Sequence, residues 1–323
     1  MERSIVKGIK IFSNSKFLFV IKISIAAGLL YALISFIDFQ TILSAFQTAD
    51  YKFFTVGIAL SVIVFYMQFL RWRFLLSLIS VNVPKREIVT SILIGMAAGF
   101  ATPAQLGEVA GRLASHQELR KSHVAGIFIL DKIYISIFTI LLGIFGLTFF
   151  TERFLPNFWH SVYIYFSLIL FFIILFIAIR PNIIKPLQKI FPAFIREHRF
   201  FSVVDIINSS FHSFQALILS LLTVLWYGMI IAQYYFFIHA FSSISFFDTA
   251  VGVGSVFFIK NIVLPISIGD IGIRETAAVY FFGKFGIAPA VAFNSAILTY
   301  IVNTIIPGIF GALLILKLKM KIQ

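Results

Sequence analysis

The sequence predicts an all-α polytopic membrane protein built as two inverted-topology repeats, each with three spanning helices and one re-entrant helical hairpin. Three observations predict it. The 323-residue chain is 60% apolar and 12% charged, with a mean hydropathy of +1.01, whereas soluble domains are about a quarter charged. Apolar runs near 20 residues, the length that crosses a roughly 30 Å hydrocarbon core, recur along it. The string Pro-x-x-x-Gly-acid-x-x-x-Arg occurs twice: Pro103, Gly107, Glu108 and Arg112, then Pro265, Gly269, Asp270 and Arg274, with Glu275 directly after.

Charge placement sets the orientation. The net charge is +13, but Lys and Arg gather at the ends of apolar runs: Arg3 to Lys16, Arg71 and Arg73, Arg180 to Arg199, and Lys317 to Lys321. The positive-inside rule makes these segments cytoplasmic. The segments 38–52, 151–160 and 242–248 suit the outer face. The charge is therefore a topology signal that also attracts anionic lipid head groups, and no nucleic-acid partner is expected. The N-terminus lacks a small-residue cleavage site after its first apolar run, so that run is read as a retained span. Cysteine is absent, which excludes disulfides, thiolate ligands and a cysteine nucleophile.

With the N-terminus inside, 17–37 crosses outward. Residues 38–50 form an interfacial helix, with Phe39, Ile42, Leu43 and Phe46 at helical spacing. The run 53–70 returns to Arg71-Trp72-Arg73, where Trp72 reads as an interfacial anchor. Residues 88–102 follow and stop at Pro103. If they spanned, Arg112, Arg120, Lys121 and both later basic clusters would lie outside. The consistent reading is a hairpin that enters from the cytoplasm, turns at 102–107 and returns through 108–121. Its returning arm carries Glu108, Arg112, His116, Glu118 and Arg120, too polar to face lipid.

Residues 133–150 then cross outward, with Asp131 and Lys132 near the cytoplasmic end, and 161–179 come back to a basic loop at 180–200. The run 217–241 crosses outward. A second apolar pair, 247–264 and 271–286, flanks 265–270. A hairpin and two full spans give the same parity here, and the matching motif favours the hairpin. Residues 290–316 bring the C-terminus inside. Three crossings per half invert the second half relative to the first, as in many secondary transporters. Residues 1–323 thus make a single integral membrane domain, with pseudo-repeats at about 1–150 and 160–323.

Proline removes a backbone donor and glycine frees the dihedrals, so Pro103, Gly107, Pro265, Gly269 and Gly272 can turn the chain within the membrane. Helix N-termini after such turns offer unpaired N–H groups to an anion. Arginine suits bidentate capture of phosphate. Arg112 and Arg274 are therefore candidate anion-binding residues, with Glu108, Glu275 and Asp270 to balance charge or relay protons. Alone, Glu108–Arg112 would be read as an i,i+4 pair stabilising its own helix. Two copies at matching offsets in apolar sequence point instead to a polar cavity, because helix stability does not require charge in a membrane.

Secondary candidates are Asp131 and Lys132 (pathway residues or a satisfied interfacial pair), Lys260 (cavity cation or snorkelling side chain), and Arg71 and Arg73, read first as anchors. His116, His123, His198 and His212 lack metal-like spacing, and Gly95-x-x-x-Gly99 is a weak signal of close packing. No Gly-x-x-x-x-Gly-Lys-[Ser/Thr], G-x-S-x-G or H-E-x-x-H string occurs. No catalytic residue, metal or cofactor is assigned, and any transport would draw on gradients or another subunit.

At these residues the chain resembles the transmembrane region of lysylphosphatidylglycerol synthases, a flippase-like integral membrane family. Arg71-Trp72-Arg73-Phe74-Leu75-Leu76 closes the second span. The run from Thr102 to Glu108, with Arg112, is similar to the family's T-P-x-x-x-G-E-x-x-x-R string, and Ser267 to Glu275 is similar to S-x-G-G-x-G-x-x-E. The resemblance covers essentially the whole chain. It implies a multi-pass protein of a prokaryotic cytoplasmic membrane, some of whose relatives are linked to moving lipids between leaflets. Asp270 stands where the family often has glycine, which makes Glu275 the safer functional carboxylate. The chain ends soon after its last span, so the soluble aminoacyl-transfer domain is expected to be absent and synthase activity is not carried over.

The expected function is translocation of an anionic lipid or lipid-linked head group through a central polar cavity. The alternative is a membrane-embedded enzyme, or enzyme subunit, acting on lipid-linked sugars or phospholipids. A third possibility is a scaffold for a lipid-modifying enzyme docked at the cytoplasmic face on 180–199.

Overall fold

A helix satisfies every backbone polar group within its own segment, which is the solution open to a chain this apolar. The structure, a computed structural model, describes residues 31, 35, 39–47, 49–80, 82–100, 102, 106–154, 160–180, 211–262 and 271–320. Every regular element among them is helical. The first predicted span (17–37, save two positions), most of the basic loop after Arg180, and Pro103, Pro265, Gly269 and Asp270 lie outside the described residues.

The helices are α1 (Phe39–Gln47), α2 (Tyr51–Ser77), α3 (Lys85–Phe100), α4 (Leu106–Ser115), α5 (Lys121–Phe154) and α6 (His160–Ile179). They continue as α7 (Ser213–His239), α8 (Phe246–Ile262), α9 (Ile273–Lys284), α10 (Pro289–Tyr300) and α11 (Ile306–Met320), with a π-helical turn at Ile301–Ile305 joining the last two. Among the described residues, four stretches are long and apolar enough to cross a membrane: α2, α5, α7 and Pro289–Lys317. The protein is a multi-pass helical membrane protein.

Local chemistry fixes several boundaries. Asp50 caps α2, its side chain accepting the Lys52 N–H at 2.9 Å. Helix α1 occurs where the spacing of Phe39, Ile42, Leu43 and Phe46 put one. It is held by Ile42, buried against Ala290 and Phe293, and by Asn294, whose amide donates to the Ile42 carbonyl at 3.1 Å. The predicted return span does not stop at Leu70. Helix α2 runs on to Ser77, which places Arg71 and Trp72 inside the fold.

Two pairs consist of shorter helices. With 16 and 10 residues, α3 and α4 are about 24 and 15 Å long, below the roughly 30 Å of a hydrocarbon core. At 17 and 12 residues, α8 and α9 are about 26 and 18 Å long. Helices α3 and α4 pack tightly on each other, as do α8 and α9. At the first tip, Thr102 Oγ1 donates to the Ala98 carbonyl at 3.0 Å and accepts the Gly107 N–H at 2.6 Å. A Cβ on Gly107 would lie 2.1 Å from the Ala98 oxygen, so only glycine lets the chain close there. At the second, Gly272 has φ +88°, a left-handed conformation natural to glycine, immediately before α9.

Helix α5, 34 residues and thus about 51 Å long, connects the open ends of the two pairs. It begins six residues after α4 stops at Ser115. Its far end meets the start of α8, where Arg153 pairs with Asp248 at 2.5 Å, and the end of α9, where Arg153 lies over the Phe285 ring. The open ends of the two pairs therefore sit at opposite ends of one long helix.

The packing is also reciprocal. Helix α8 lies along α5, the last long helix of the first half, and α3 lies along α11, the last of the second. Both contacts are glycine-tight: a Cβ on Gly146 would meet the Ser255 nitrogen at 2.6 Å, and one on Gly311 would meet the Leu93 oxygen at 1.9 Å. Helices α2 and α7 pair with each other. One apolar cluster surrounds the first short pair through Trp72, Ile88, Val124 and Ile127, and another surrounds the second through Tyr234, Val253, Phe282 and Ala292. Leu142, Trp226 and Phe257 touch both.

Candidate functional site

Residues of both short pairs line one cavity of about 370 Å³. Glu108 and Arg112 line it from α4, Lys260 and Asn261 from α8, and Arg274 from α9. Arg71 of α2 and the neighbours Asp131 and Lys132 of α5 add further charge. The groups the sequence places far apart thus share one enclosure.

In the first short pair the charges are tied together. Arg112 Nη2 donates to Glu108 Oε1 at 2.8 Å, and Lys132 Nζ donates to Glu108 Oε2 at 2.6 Å. Both oxygens of Glu108 are occupied by cations. The Arg112 guanidinium lies on the face of Trp72, 4.2 Å from the ring centroid, and also near Phe128. Trp72 is fixed in turn, its indole N–H donating to Ser91 Oγ at 2.9 Å. Desolvated cation–π contacts of this kind contribute about 2 kcal/mol.

This corrects the anchor reading of Trp72: it is 1% exposed and is the seat of Arg112. Arg71 is corrected with it. At 2% exposure it reaches Asp131 Oδ1 at 2.6 Å and lies over the Trp226 ring. Asp131 and Lys132 are therefore not a pair with each other. Each serves a different arginine, Asp131 directly and Lys132 through Glu108. Arg73, by contrast, is exposed and outside the cavity.

The second short pair uses a different geometry. Arg274 lies over the Tyr300 ring at 4.2 Å from the centroid, the counterpart of Arg112 on Trp72. Its carboxylate partner among the described residues is Glu275, whose Oε1 accepts from Arg274 Nη2 while Oε2 accepts the Gly272 N–H at 2.7 Å. Glu275 is fully buried behind Arg274 and does not line the cavity. Paired in this way, Glu275 balances the charge of Arg274 and ties the arginine to the first turn of α9. Asp270, the acid at the repeated offset, lies outside the described residues.

Among the described lining residues the cations are Arg71, Arg112, Lys132, Lys260 and Arg274, and the carboxylates are Glu108 and Asp131. The enclosure is net positive even with Glu275 counted. Arg112 Nε and Nη1, and the Nε of Arg71 and of Arg274, find no acceptor among the described residues.

Several contributors were not singled out by the sequence. Tyr300, Asn303 and Thr304 line the cavity from the π-helical turn and its approach, a distortion that recurs at functional sites. Asn303 donates to Gln233 Oε1 at 2.6 Å, and Gln233 donates to the Gly57 carbonyl at 2.9 Å. The available signal was an asparagine in the middle of an apolar run, where it requires a partner.

Below the first hairpin, His116 is buried and its Nδ1 lies 2.6 Å from Glu87 Oε1. Burial pushes its pKa below the ordinary 6.5, against the pull of Glu87, and the charge of Arg112 adds to the lowering. Its Nε2 has no partner among the described residues.

The family model for the lysylphosphatidylglycerol synthase TM region matches residues 19–311. No curated protein and no solved structure matches the chain.

Proposed function

From the premise that the chain belongs to the family of the lysylphosphatidylglycerol synthase TM region, we propose that it moves an anionic lipid or lipid-linked head group between the leaflets of a prokaryotic cytoplasmic membrane. The observation that carries this reading is the shared enclosure: arginines from two separate hairpins, Arg112 and Arg274, line one net-positive cavity. A phosphate head group there would replace hydration with charge-assisted hydrogen bonds. The pairs α3–α4 and α8–α9 are re-entrant hairpins entering from opposite faces, and the two halves are inverted repeats. Supporting this are their sub-bilayer lengths, the long α5 connecting their open ends, and the reciprocal packing of α3 on α11 and α8 on α5. The termini are cytoplasmic on this reading.

Glu108 is clasped between Lys132 and Arg112, one on each oxygen, the arrangement of a charge-balancing carboxylate, which favours transport over the enzyme alternative. The test is leaflet-resolved movement of a fluorescent anionic phospholipid in proteoliposomes. Wild type should exceed protein-free vesicles. Arg112→Gln and Arg274→Gln should each lower the rate about 10- to 100-fold, the span of one lost hydrogen bond to a charged group. Wild-type vesicles no faster than empty ones would remove the proposal; unaffected variants would remove the site.

A further inference from the structure

The polar cavity continues into an apolar one. A groove of about 250 Å³ runs between α2, α3 and α11, walled by Ser61, Val62 and Phe65 on one side and by Leu93, Ile306 and Phe310 on the others. Val64, Gln68 and Asn303 line both the groove and the charged cavity. They mark where the lining changes from cationic to hydrocarbon, at two amide side chains. Val62, Ile306 and Phe310 are 71%, 41% and 57% exposed, so the groove opens on the flank of the protein.

Its depth restricts what can use it. Ser61 to Gln68 straddle the centre of the 27-residue α2, and Val302 to Phe310 straddle the centre of the 29-residue stretch Pro289–Lys317. A flank opening at the centre of two spans faces the hydrocarbon of the bilayer. Ions and sugars do not approach from there, whereas an alkyl chain does without leaving its own solvent.

We infer that this groove holds a hydrocarbon chain of the same lipid whose anionic head lies among Arg71, Arg112 and Arg274, the chain leaving between α2 and α11 into the membrane. The inference rests on the function proposed above and narrows it: the substrate stays membrane-anchored throughout, and its head-to-chain junction passes Gln68 and Asn303. The junction is prepared for a polar linkage. Asn303 is held by Gln233, and its Oδ1 accepts from no described residue. An ester or hydroxyl at the top of a lipid chain matches two amides placed where charge gives way to apolar wall.

The experiment uses the wild-type protein in nanodiscs containing phosphatidylglycerol with a diazirine in one acyl chain, and in parallel the same probe with a choline head. After irradiation, cross-linked positions are read by mass spectrometry. The groove residues Val62, Phe65, Ile306 and Phe310 should be labelled severalfold more than Phe166 and Phe172 of α6, which at 64% and 63% are more exposed than all of these but Val62. The excess should fall with the choline probe and with Ser61→Trp, which fills the groove at a residue outside the cavity lining. Equal labelling of α6 and the groove would mean ordinary boundary lipid and would overturn the inference. Groove labelling that persists unchanged in Arg112→Gln/Arg274→Gln would overturn it too, since chain and head would be unconnected. Normal transport by Ser61→Trp, with loss of transport in the arginine variants, would remove the groove and leave the function proposed above standing. The wild-type comparison does not depend on Ser61→Trp folding.

Discussion

Residues 71 and 72 show how far a single side chain can be read before its surroundings are known. Arg-Trp-Arg at the end of an apolar run carries the same pattern as an interfacial anchor, and only the continuation of α2 to Ser77 turns two of the three inward. Once inside, Arg71 must be compensated, and Asp131 does so at 2.6 Å with both side chains almost fully buried. Such a pair contributes little net stability, but removing one partner leaves an uncompensated charge at about 3–5 kcal/mol. Arg71→Met and Asp131→Leu should therefore each lower the thermal stability of the detergent-solubilised protein strongly. The double variant should recover most of the loss, which a thermal unfolding series on all four proteins measures. Additive losses would show that the pair is not coupled as the geometry requires. The repeated Arg112 and Arg274 were legible from the sequence because they recur. Their aromatic seats, Trp72 and Tyr300, were not, because nothing in the spacing of an aromatic tells a lipid-facing ring from one beneath a guanidinium.

At the scale of elements, the breaks between the short helices were legible for a related reason: Pro103 falls between the end of α3 and the start of α4, and Pro265 between the end of α8 and the start of α9. Their packing was not legible, since it depends on which glycine faces which backbone. Gly311 and Gly308 make the contrast within one helix. A Cβ on Gly311 would meet the Leu93 carbonyl oxygen at 1.9 Å, whereas one on Gly308 meets nothing within 4 Å. Gly311→Ala should therefore push α3 off α11 and destabilise by about 1–3 kcal/mol, the usual cost of overpacking. Gly308→Ala should be neutral or stabilising by up to about 1 kcal/mol through helix propensity. The same thermal assay compares the two, and equal effects would contradict the close approach of α3 to α11. Because α3 carries the Gly99–Phe100 edge of the cavity, Gly311→Ala should also slow lipid movement, and Gly308→Ala should not.

For the whole molecule, everything depends on whether the two hairpins face each other across the bilayer, and α5 supplies the measure. At about 51 Å it exceeds the roughly 40–45 Å of a bilayer with its head groups. One end is joined to the foot of α4, and the other, at Arg153, grips the foot of the second hairpin through Asp248 and Phe285. If α5 crosses the membrane, the two feet lie in different compartments whatever the exact tilt. The native chain contains no cysteine, so single cysteines report this directly. Arg86→Cys and Glu118→Cys sample the first foot, and Ser243→Cys and Lys284→Cys the second, all at exposed positions. In intact cells with the outer barrier removed, a membrane-impermeant maleimide should label Ser243→Cys and Lys284→Cys at once. It should reach Arg86→Cys and Glu118→Cys only after permeabilisation, because the positive-inside rule puts the first foot in the cytoplasm. Labelling of all four from one side would break the inverted arrangement, and with it the case for a cavity that two opposed hairpins can open alternately to the two leaflets.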